Sequence, residues 1–455
     1  MDNTIAQIAT APGVGGIAVI RISGEEAFNI CNKVFKPINK TKDVLSAKGY
    51  TAMFGNFVLD NKIQDEVVAL FFKAPKSYTG ENVVELSCHG GKIVSENLLK
   101  ACILAGAKPA DRGEFTKRAF LNGRINLTQA EAVFDIISAN SNTAQAVAFS
   151  ALNGALYNKI EEIKNSLTVL VGHITAYVDY PEENVPELED KVLNNTLLKA
   201  NNSLDELIKN YNRGSVLKRG IETAIVGSPN VGKSTLLNLL SGFERAIVTS
   251  IEGTTRDIVE QQVMIAGVQL ILSDTAGIRI TDDEIEAEGI KRAYKCMDKA
   301  GLILAVFDNT KPFDKNQEEF AKSCVDKIAI AIVNKDDLEP AFDIAILNNY
   351  FKKVISISAK DVNSINIVEN AIEDVLQIKQ IDTDLAYLAN TRQFDSAVKA
   401  KNAIQDAINA INMGITLDAI GVCIDDALYA LYELTGENVS EAVIEEVFSK
   451  FCVGK

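Results

Sequence analysis

The run Gly227-Ser-Pro-Asn-Val-Gly-Lys-Ser234 leaves less freedom than any other stretch of this 455-residue chain. It follows the apolar segment Ile221-Glu-Thr-Ala-Ile-Val226 and precedes Thr235-Leu-Leu-Asn-Leu-Leu240, so it reads as strand, glycine-rich loop and helix. Glycines at 227 and 232 open backbone conformations closed to residues with a side chain, turning successive N–H groups toward an anion at a helix N-terminus. Lys233 then reaches the β and γ phosphates of a nucleotide and the Ser234 hydroxyl binds Mg²⁺. Asn230, Val231, Gly232, Lys233, Ser234 and Thr235 are the expected phosphate-loop contacts.

Three further stations follow in order, each closing an apolar run. Asp274, Thr275, Ala276 and Gly277 end Val268–Ser273, which sets an aspartate to hold the metal through water and a glycine N–H to meet the γ phosphate. Asn334, Lys335 and Asp337 end Ile328–Val333, and Asp337 suits the ring N–H and exocyclic amine that guanine presents together. Ser358, Ala359 and Lys360 follow Val354–Ile357. Four stations at strand ends describe a GTPase and resemble the translation-factor-like small GTPases. The strands of that domain all fall between Ile221 and about Ile378.

Length predicts roughly three domains. At 47% hydrophobic and 24% charged residues the composition is that of a globular protein, and no apolar run is long enough to span a bilayer. Met1-Asp-Asn-Thr lacks the basic start of a signal peptide, so a cytoplasmic location is expected, with no membrane partner. Seven scattered cysteines with no C-x-x-C pair, and two histidines, His89 and His173, make a zinc site a poor expectation and fit reduced thiols. The net charge of −15 argues against a surface broadly attractive to nucleic acid, so any RNA contact is expected to be a local basic patch.

Residues 1–120 read as α+β, with strands at Ile17–Ile22, Val67–Phe72 and Asn82–Ser87 and a helix from Lys92 to Ala105. Arg21 and Glu85 interrupt two otherwise apolar strands. They are either solvent-facing positions or a polar pair inside a pocket, and His89 beside glycines is similarly open. From Thr128 to about Tyr211 the pattern is helical, with a break at Tyr180-Pro-Glu-Glu-Asn-Val-Pro186, and the tail after Leu385 is helical again. Neither helical block offers a closed core by itself, so the two are expected to pack together around an inserted GTPase domain. The expected division is 1–120, 121–217, 218–378 and 379–455. The fold class is multidomain α/β plus α: an N-terminal α+β domain, a central helical bundle, and a Ras-like P-loop GTPase domain inserted into it.

Hydrolysis needs a group that orients water, and the position after Gly277 is Ile278, which has no such group. The run Thr281-Asp-Asp-Glu-Ile-Glu286 offers carboxylates, or is a solvated acidic loop; Arg256 and Arg279 are internal fingers or salt-bridge partners. The side-chain oxygen of Asn230 suits a monovalent cation beside the phosphates. The loop of Thr249, Ser250, Ile251, Glu252, Gly253, Thr254 and Thr255 reads as the switch that completes such a site with backbone oxygens, and its Thr255 is the natural second Mg²⁺ ligand.

The phosphate loop, the G-T-T-R-D at 253–257, the D-T-A-G-I-R at 274–279 and the ending Phe451-Cys-Val-Gly-Lys455 together resemble the MnmE (TrmE) family of tRNA uridine-modification GTPases. So do S-Y-T-G-E-N-V-V-E-L-S-C-H-G-G at 77–91 and G-E-F-T-K-R-A-F-L-N-G-R at 113–124, and the resemblance runs end to end. It implies an N-terminal site for a tetrahydrofolate derivative, 5-formyl or 5,10-methylene, on Arg21, Glu85 and Arg124 with Lys455 nearby. Arg124 stands where some members have Lys. The resemblance also implies GTPase domains that dimerise with K⁺ held by Asn230, Thr249, Ile251 and Thr254, Mg²⁺ on Ser234 and Thr255, and Glu286 as the catalytic carboxylate. The implied partners are a second copy of the chain, tRNA, and a flavin- and NADH-dependent subunit of the MnmG (GidA) type in a heterotetramer or larger. The implied reaction adds a (carboxymethyl)aminomethyl group to C5 of the wobble uridine, U34. Cys452 is a prenylation site, a thiol nucleophile, or part of a tail that anchors at the folate pocket, and the last reading is preferred because a frayed tail holds a nucleophile poorly. The competing function is a GTP-regulated ribosome-assembly switch without folate chemistry.

Overall fold

The computed structural model describes residues 3–180, 189–242, 261–273, 295–377 and 385–455. They fall into two compact units, Met1–Phe134 with Leu152–Ala200 and Lys399–Lys455, and Asp135–Ala151 with Asn201–Val398.

In the first unit seven strands form one sheet in the order β3-β4-β5-β6-β2-β1-β7: β1 (Ile5–Ile8), β2 (Ile17–Ser23), β3 (Phe35–Pro37), β4 (Thr51–Leu59), β5 (Lys62–Phe72), β6 (Val83–His89) and β7 (Lys108–Pro109). Every pairing is antiparallel except β1 with β7. Alternation along β2 buries Ala18, Ile20 and Ile22 on one face, where they join Leu86 of β6 and Phe71 of β5. Helices α1 (Ala27–Val34) and α2 (Lys92–Leu104) cover that face with Ile30, Cys31, Leu98 and Cys102. Arg21 and Glu85 belong to the other face. The short strands β1, β3 and β7 and the mixed strand β4 carry no long apolar run, so periodicity singled out only β2, β5 and β6.

The helical region is more broken than its sequence pattern. Between α3 (Glu114–Leu121) and Tyr180 lie α4 (Leu127–Ser138), α5 (Asn142–Leu152) and α6 (Ala155–Asp179). Local hydrogen bonding fixes the start of the region and one of its extra ends. Asn126 Oδ1 accepts from the Gln129 amide while Gln129 Oε1 accepts from the Asn126 amide, a reciprocal cap at the start of α4. Ser141 Oγ accepts from the Ala144 amide at the start of α5.

Helix α7 (Asp190–Arg219) follows. The C-terminal helices are α11 (Thr391–Asn412), α12 (Leu417–Thr435) and α13 (Glu441–Ser449), and α12 packs along α6 within the first unit. Parts of two helical blocks far apart in sequence thus share packing within the first unit. Leu127 and Ala130 of α4 join Val447, Phe448 and Phe451 in one apolar cluster, which brings the chain's last residues to the first unit's core.

The second unit is built on a six-stranded sheet of order β13-β12-β11-β8-β10-β9: β8 (Ile221–Val226), β9 (Gln261–Ile265), β10 (Val268–Ser273), β11 (Leu302–Asp308), β12 (Ala329–Asn334) and β13 (Lys353–Ile357). All pairings are parallel except β9 with β10. Parallel strands covered on both faces read as continuous apolar runs, and all seven residues of β11 and all six of β12 are buried. Leu236 and Leu240 of α8 (Lys233–Gly242) and Val368 and Ile372 of α10 (Ser364–Leu376) fill one face. Met297, Phe351 and Ala321 of α9 (Lys315–Lys322) fill the other. Because β8, β12 and β13 run parallel, their carboxyl ends share one edge, the edge where such sheets bind ligands.

Candidate functional site

At that edge the loop after β8 enters α8. Asn230 holds a left-handed φ of +63°. Gly232 has φ +99°, and a Cβ there would stand 2.1 Å from Asn334 Nδ2, so the position tolerates only glycine. Asn334, buried at the end of β12, ties three elements together. Its Nδ2 donates to the Val231 carbonyl at 2.8 Å, and its Oδ1 accepts from the Ala359 amide at 2.9 Å. The phosphate loop, the Asn334–Asp337 segment and the Ser358–Lys360 segment are thus joined by one side chain. Sequence reasoning assigned Asn334 to the base; its clamp on the loop is visible only in the fold.

Lys233 Nζ donates to the carbonyls of Gly227 at 2.9 Å and Ser228 at 2.8 Å, and burial holds its pKa below the ordinary lysine value. A cation so desolvated favours an anion at the same loop. Ser234 and Thr235 are exposed on the first turn of α8, as are Asp337 and Lys360 beyond their strands. Lys335 Nζ donates to Asp308 Oδ2 at 2.6 Å, and Asp308 escaped sequence notice. The remaining residues expected at this site, Thr249, Ser250, Ile251, Glu252, Gly253, Thr254, Thr255, Asp274, Thr275, Ala276, Gly277 and Glu286, lie outside the described residues, as do Arg256 and Arg279.

A second constellation stands on the face of the seven-stranded sheet opposite α1 and α2. The β2–β6 register sets Arg21 opposite Glu85, and Arg21 Nε donates to Glu85 Oε1 at 2.8 Å. The Arg21 guanidinium lies 5.1 Å from the Tyr78 ring centre and 5.5 Å from that of Phe115. Its Nη1 is buried without a hydrogen-bond partner, an orphan donor of the kind a ligand oxygen satisfies. Arg124 stacks on Tyr78 at 5.2 Å and donates from Nη1 to the Tyr78 carbonyl at 2.7 Å.

The loop carrying Tyr78 is braced from beneath. Arg118, almost wholly buried, donates to Glu81 at 3.1 and 3.2 Å and to Glu114 at 2.9 Å, and Glu81 also accepts from Ser23 Oγ at 2.7 Å. Neither Tyr78 nor Arg118 was singled out from the sequence.

The chain's end reaches this constellation. Phe115 N donates to the Lys455 carbonyl at 3.2 Å, Gly113 N to the Cys452 carbonyl at 3.4 Å, and Val453 bridges Arg112. Burial first and the Arg21 charge second lower the pKa of Lys455, while Glu85 and Cys452 act in the opposite direction. Arg21, Glu85, Arg124 and Lys455, scattered over more than four hundred residues, therefore meet. Cys452 is exposed, while Cys31, Cys88, Cys102 and Cys324 are buried, and none of the seven cysteines forms a disulfide. His89 forms an exposed pair with Asp65, whose Oδ1 is 2.5 Å from Nδ1. Among the described residues no group of three or more His, Cys, Asp or Glu side chains could hold a metal ion, and no helix is long and apolar enough to cross a membrane.

Comparison with known proteins agrees across the whole length. Residues 127–452 match the MnmE helical domain, and residues 4–124 match the GTP-binding protein TrmE N-terminus. The tRNA modification GTPase MnmE of Acetivibrio thermocellus is 39% identical over 459 residues, covering 100% of this chain and 99% of that protein. The protein of the same name from Thermoanaerobacter pseudethanolicus is 40% identical over 458 residues, with the same coverage. That of Clostridioides difficile is 37% identical over 458 residues and 100% of both chains. With one family model spanning most of its length and relatives matched from end to end, the chain belongs to the MnmE family.

Proposed function

We propose that this chain is the GTP-hydrolysing component of a tRNA wobble-uridine modification system and that its N-terminal sheet binds a tetrahydrofolate one-carbon unit. The observation that carries the folate reading is the buried, unpartnered Nη1 of Arg21. It lies in a guanidinium that already pairs with Glu85 and stacks on Tyr78. A pterin ring offers both a carbonyl oxygen for that donor and amine hydrogens for a carboxylate such as Glu85. Arg124 and Lys455 add positive charge for the folate carboxylates, and the tail around Cys452 serves as an anchor.

On the GTPase side, Lys233 and the loop amides from Asn230 to Ser234 take the phosphates, and Asn334, Asp337 and Ala359 take guanine. Mg²⁺, held by Ser234 and Thr255, supplies charge neutralisation at the phosphates when bound. Asn230, Thr249, Ile251 and Thr254 form the K⁺ site, and Glu286 orients the attacking water. The GTPase domains of two copies pair across their nucleotides, and hydrolysis drives movement of an inserted domain (218–378) relative to a helical platform of 121–217 and 379–455. The N-terminal domain is 1–120. A flavin- and NADH-dependent subunit completes the system in the cytoplasm.

Equilibrium binding of 5-formyltetrahydrofolate to the full chain tests the folate reading. Arg21→Ala is expected to weaken binding at least about tenfold, the scale of one lost charged hydrogen bond. Wild-type protein that fails to bind the folate refutes it. GTP hydrolysis at equal ionic strength in K⁺ and Na⁺ tests the cation: a K⁺-stimulated rate that is lost in Asn230→Ala is expected, and equal rates in both salts refute it.

A further inference from the structure

Asp308 closes β11 and is fully buried. Its Oδ1 accepts from the Thr310 amide at 3.0 Å and the Thr310 hydroxyl at 2.7 Å, and its Oδ2 accepts from Lys335 Nζ at 2.6 Å. Burial pushes the carboxyl pKa up, but the Lys335 and Thr310 hydrogen bonds outweigh it and hold it below the ordinary value, so Asp308 is an anion throughout the neutral range. An unpaired buried carboxylate is costly, and three donors offset that cost here.

What those bonds hold is the segment that follows β12. The β11–β12 register sets Asp308 opposite Asn334, so Lys335 is the first residue beyond the clamp on the phosphate loop. Lys335 has φ +69°, uncommon for a residue with a long side chain. The Asp336 amide donates to the Ile357 carbonyl at 3.1 Å and the Leu338 amide to the Lys335 carbonyl at 3.0 Å, closing a turn that presents Asp337. The lysine is pinned at its backbone by this turn and at its tip by Asp308.

We infer that Asp308 is a positioning residue for guanine-nucleotide binding: by anchoring the Lys335 ammonium it holds the left-handed turn that carries Asp337 ready for the base. The inference rests on the GTP reading of this site. It differs from a merely structural salt bridge in what it predicts, because a structural pair sets the melting temperature of the nucleotide-free protein and leaves nucleotide exchange alone.

The test is dissociation of fluorescent mant-GDP from the full chain by stopped flow, together with GTP hydrolysis kinetics. Asp308→Asn is expected to speed release about tenfold and raise KM by a similar factor, with kcat changed less than about twofold, since loss of a buried charge partner acts mainly on the off-rate. Lys335→Ala is expected to match it, and the double variant to add nothing further. Thr310→Val, which keeps the Asp308–Lys335 pair, is expected to exchange nearly as the wild type does. Wild-type release from Asp308→Asn, with only a lower melting temperature, overturns the inference. Should Asp308→Asn not fold, Lys335→Ala decides by itself: wild-type release from it also overturns the inference. Failure of wild-type protein to bind mant-GDP overturns the nucleotide reading itself, a result distinct from equal off-rates.

Discussion

In the six-stranded sheet the described polar side chains of the nucleotide site stand at or beyond the carboxyl ends of parallel strands, whereas in the seven-stranded sheet Arg21 and Glu85 stand mid-strand on the face away from α1 and α2. The difference follows from how each sheet is covered. A parallel sheet buried on both faces has room for polar chemistry only along its edge, where loop amides and helix termini are free. An antiparallel sheet with α1 and α2 over one face leaves the other to be covered only in part, here by Phe115 of α3 and the Tyr78 loop, and a site there is built from side chains that alternation turns away from the main core. The first kind of site is compact in sequence at each station. The second is gathered from distant places: β2, β6, the Tyr78 loop, the end of α3 and the C-terminal tail.

The sharpest way to break this contrast is at the edge site. Lys233→Ala is expected to cut GTP hydrolysis by about 10²–10³-fold, the scale of losing one preorganised charge-stabilising donor. Phosphate release at saturating GTP measures it, and a near-normal rate would remove the loop from the mechanism. Next in size is Gly232→Ala, whose new Cβ would meet Asn334 Nδ2 and displace it from the Val231 carbonyl. Leaving buried polar groups unmatched there is expected to cost about 1–3 kcal/mol in denaturant unfolding. Asn334→Ala should cost a similar amount, and the two together less than their sum.

The face site should respond differently. Arg21→Met is expected to destabilise by about 1–3 kcal/mol, because the mostly buried Glu85 carboxylate loses its hydrogen-bonded partner, while abolishing folate binding. A large stability loss with folate affinity intact would make the pair structural and erase the contrast. A smaller effect concerns pH. The Asp308 carboxyl has a lowered pKa in the folded chain, so its stabilisation is present above the unfolded value of about 3.9 and is lost as pH falls through the folded value. The stability gap between wild type and Asp308→Asn should therefore be flat from about pH 5 to 8 and shrink below about pH 4. A gap that changes around pH 7 would assign the effect to another group.

Smallest is Gly454→Ala. Gly454 has φ +94° and a Cβ would stand 2.2 Å from the Ile8 carbonyl, so the substitution is expected to cost about 1–3 kcal/mol locally. Fraying at the tail should absorb most of that in global unfolding. Its readout is faster amide exchange at Gly113 and Phe115, whose N–H groups bond the tail carbonyls.

Much of the edge site was legible beforehand because each station is a short local pattern. The strand before Gly227, the glycines and the helix after Ser234 are adjacent in the chain, and the apolar runs of β8, β11 and β12 announce buried parallel strands. Arg21 and Glu85 were legible only as anomalies, charges inside apolar strands, and their roles stayed open because alternation alone does not say whether a face meets solvent or a pocket. Tyr78, Arg118 and Asp308 gave no signal, since an aromatic in a loop, an arginine on an amphipathic helix and an aspartate at a strand end are each ordinary by themselves. The interruption of the helical region at Ser141 was likewise hidden, because it depends on a side chain capping a nearby amide rather than on apolar spacing.

What the sequence by itself determined is the set of local conformations and their order: a phosphate loop between strand and helix, polar segments at the ends of buried strands, an α+β start and helical blocks on either side. Local chemistry suffices there, because a left-handed glycine, a buried strand and a capped helix are decided within a few residues. Only the tertiary structure decided which distant groups meet. It made Asn334 a three-way clamp, put a buried carboxylate behind Lys335, paired Arg21 with Glu85 across a strand register, and drew Lys455 to them through backbone hydrogen bonds at Gly113 and Phe115. Those encounters depend on sheet order and packing summed over the whole chain, and no window of the sequence contains them.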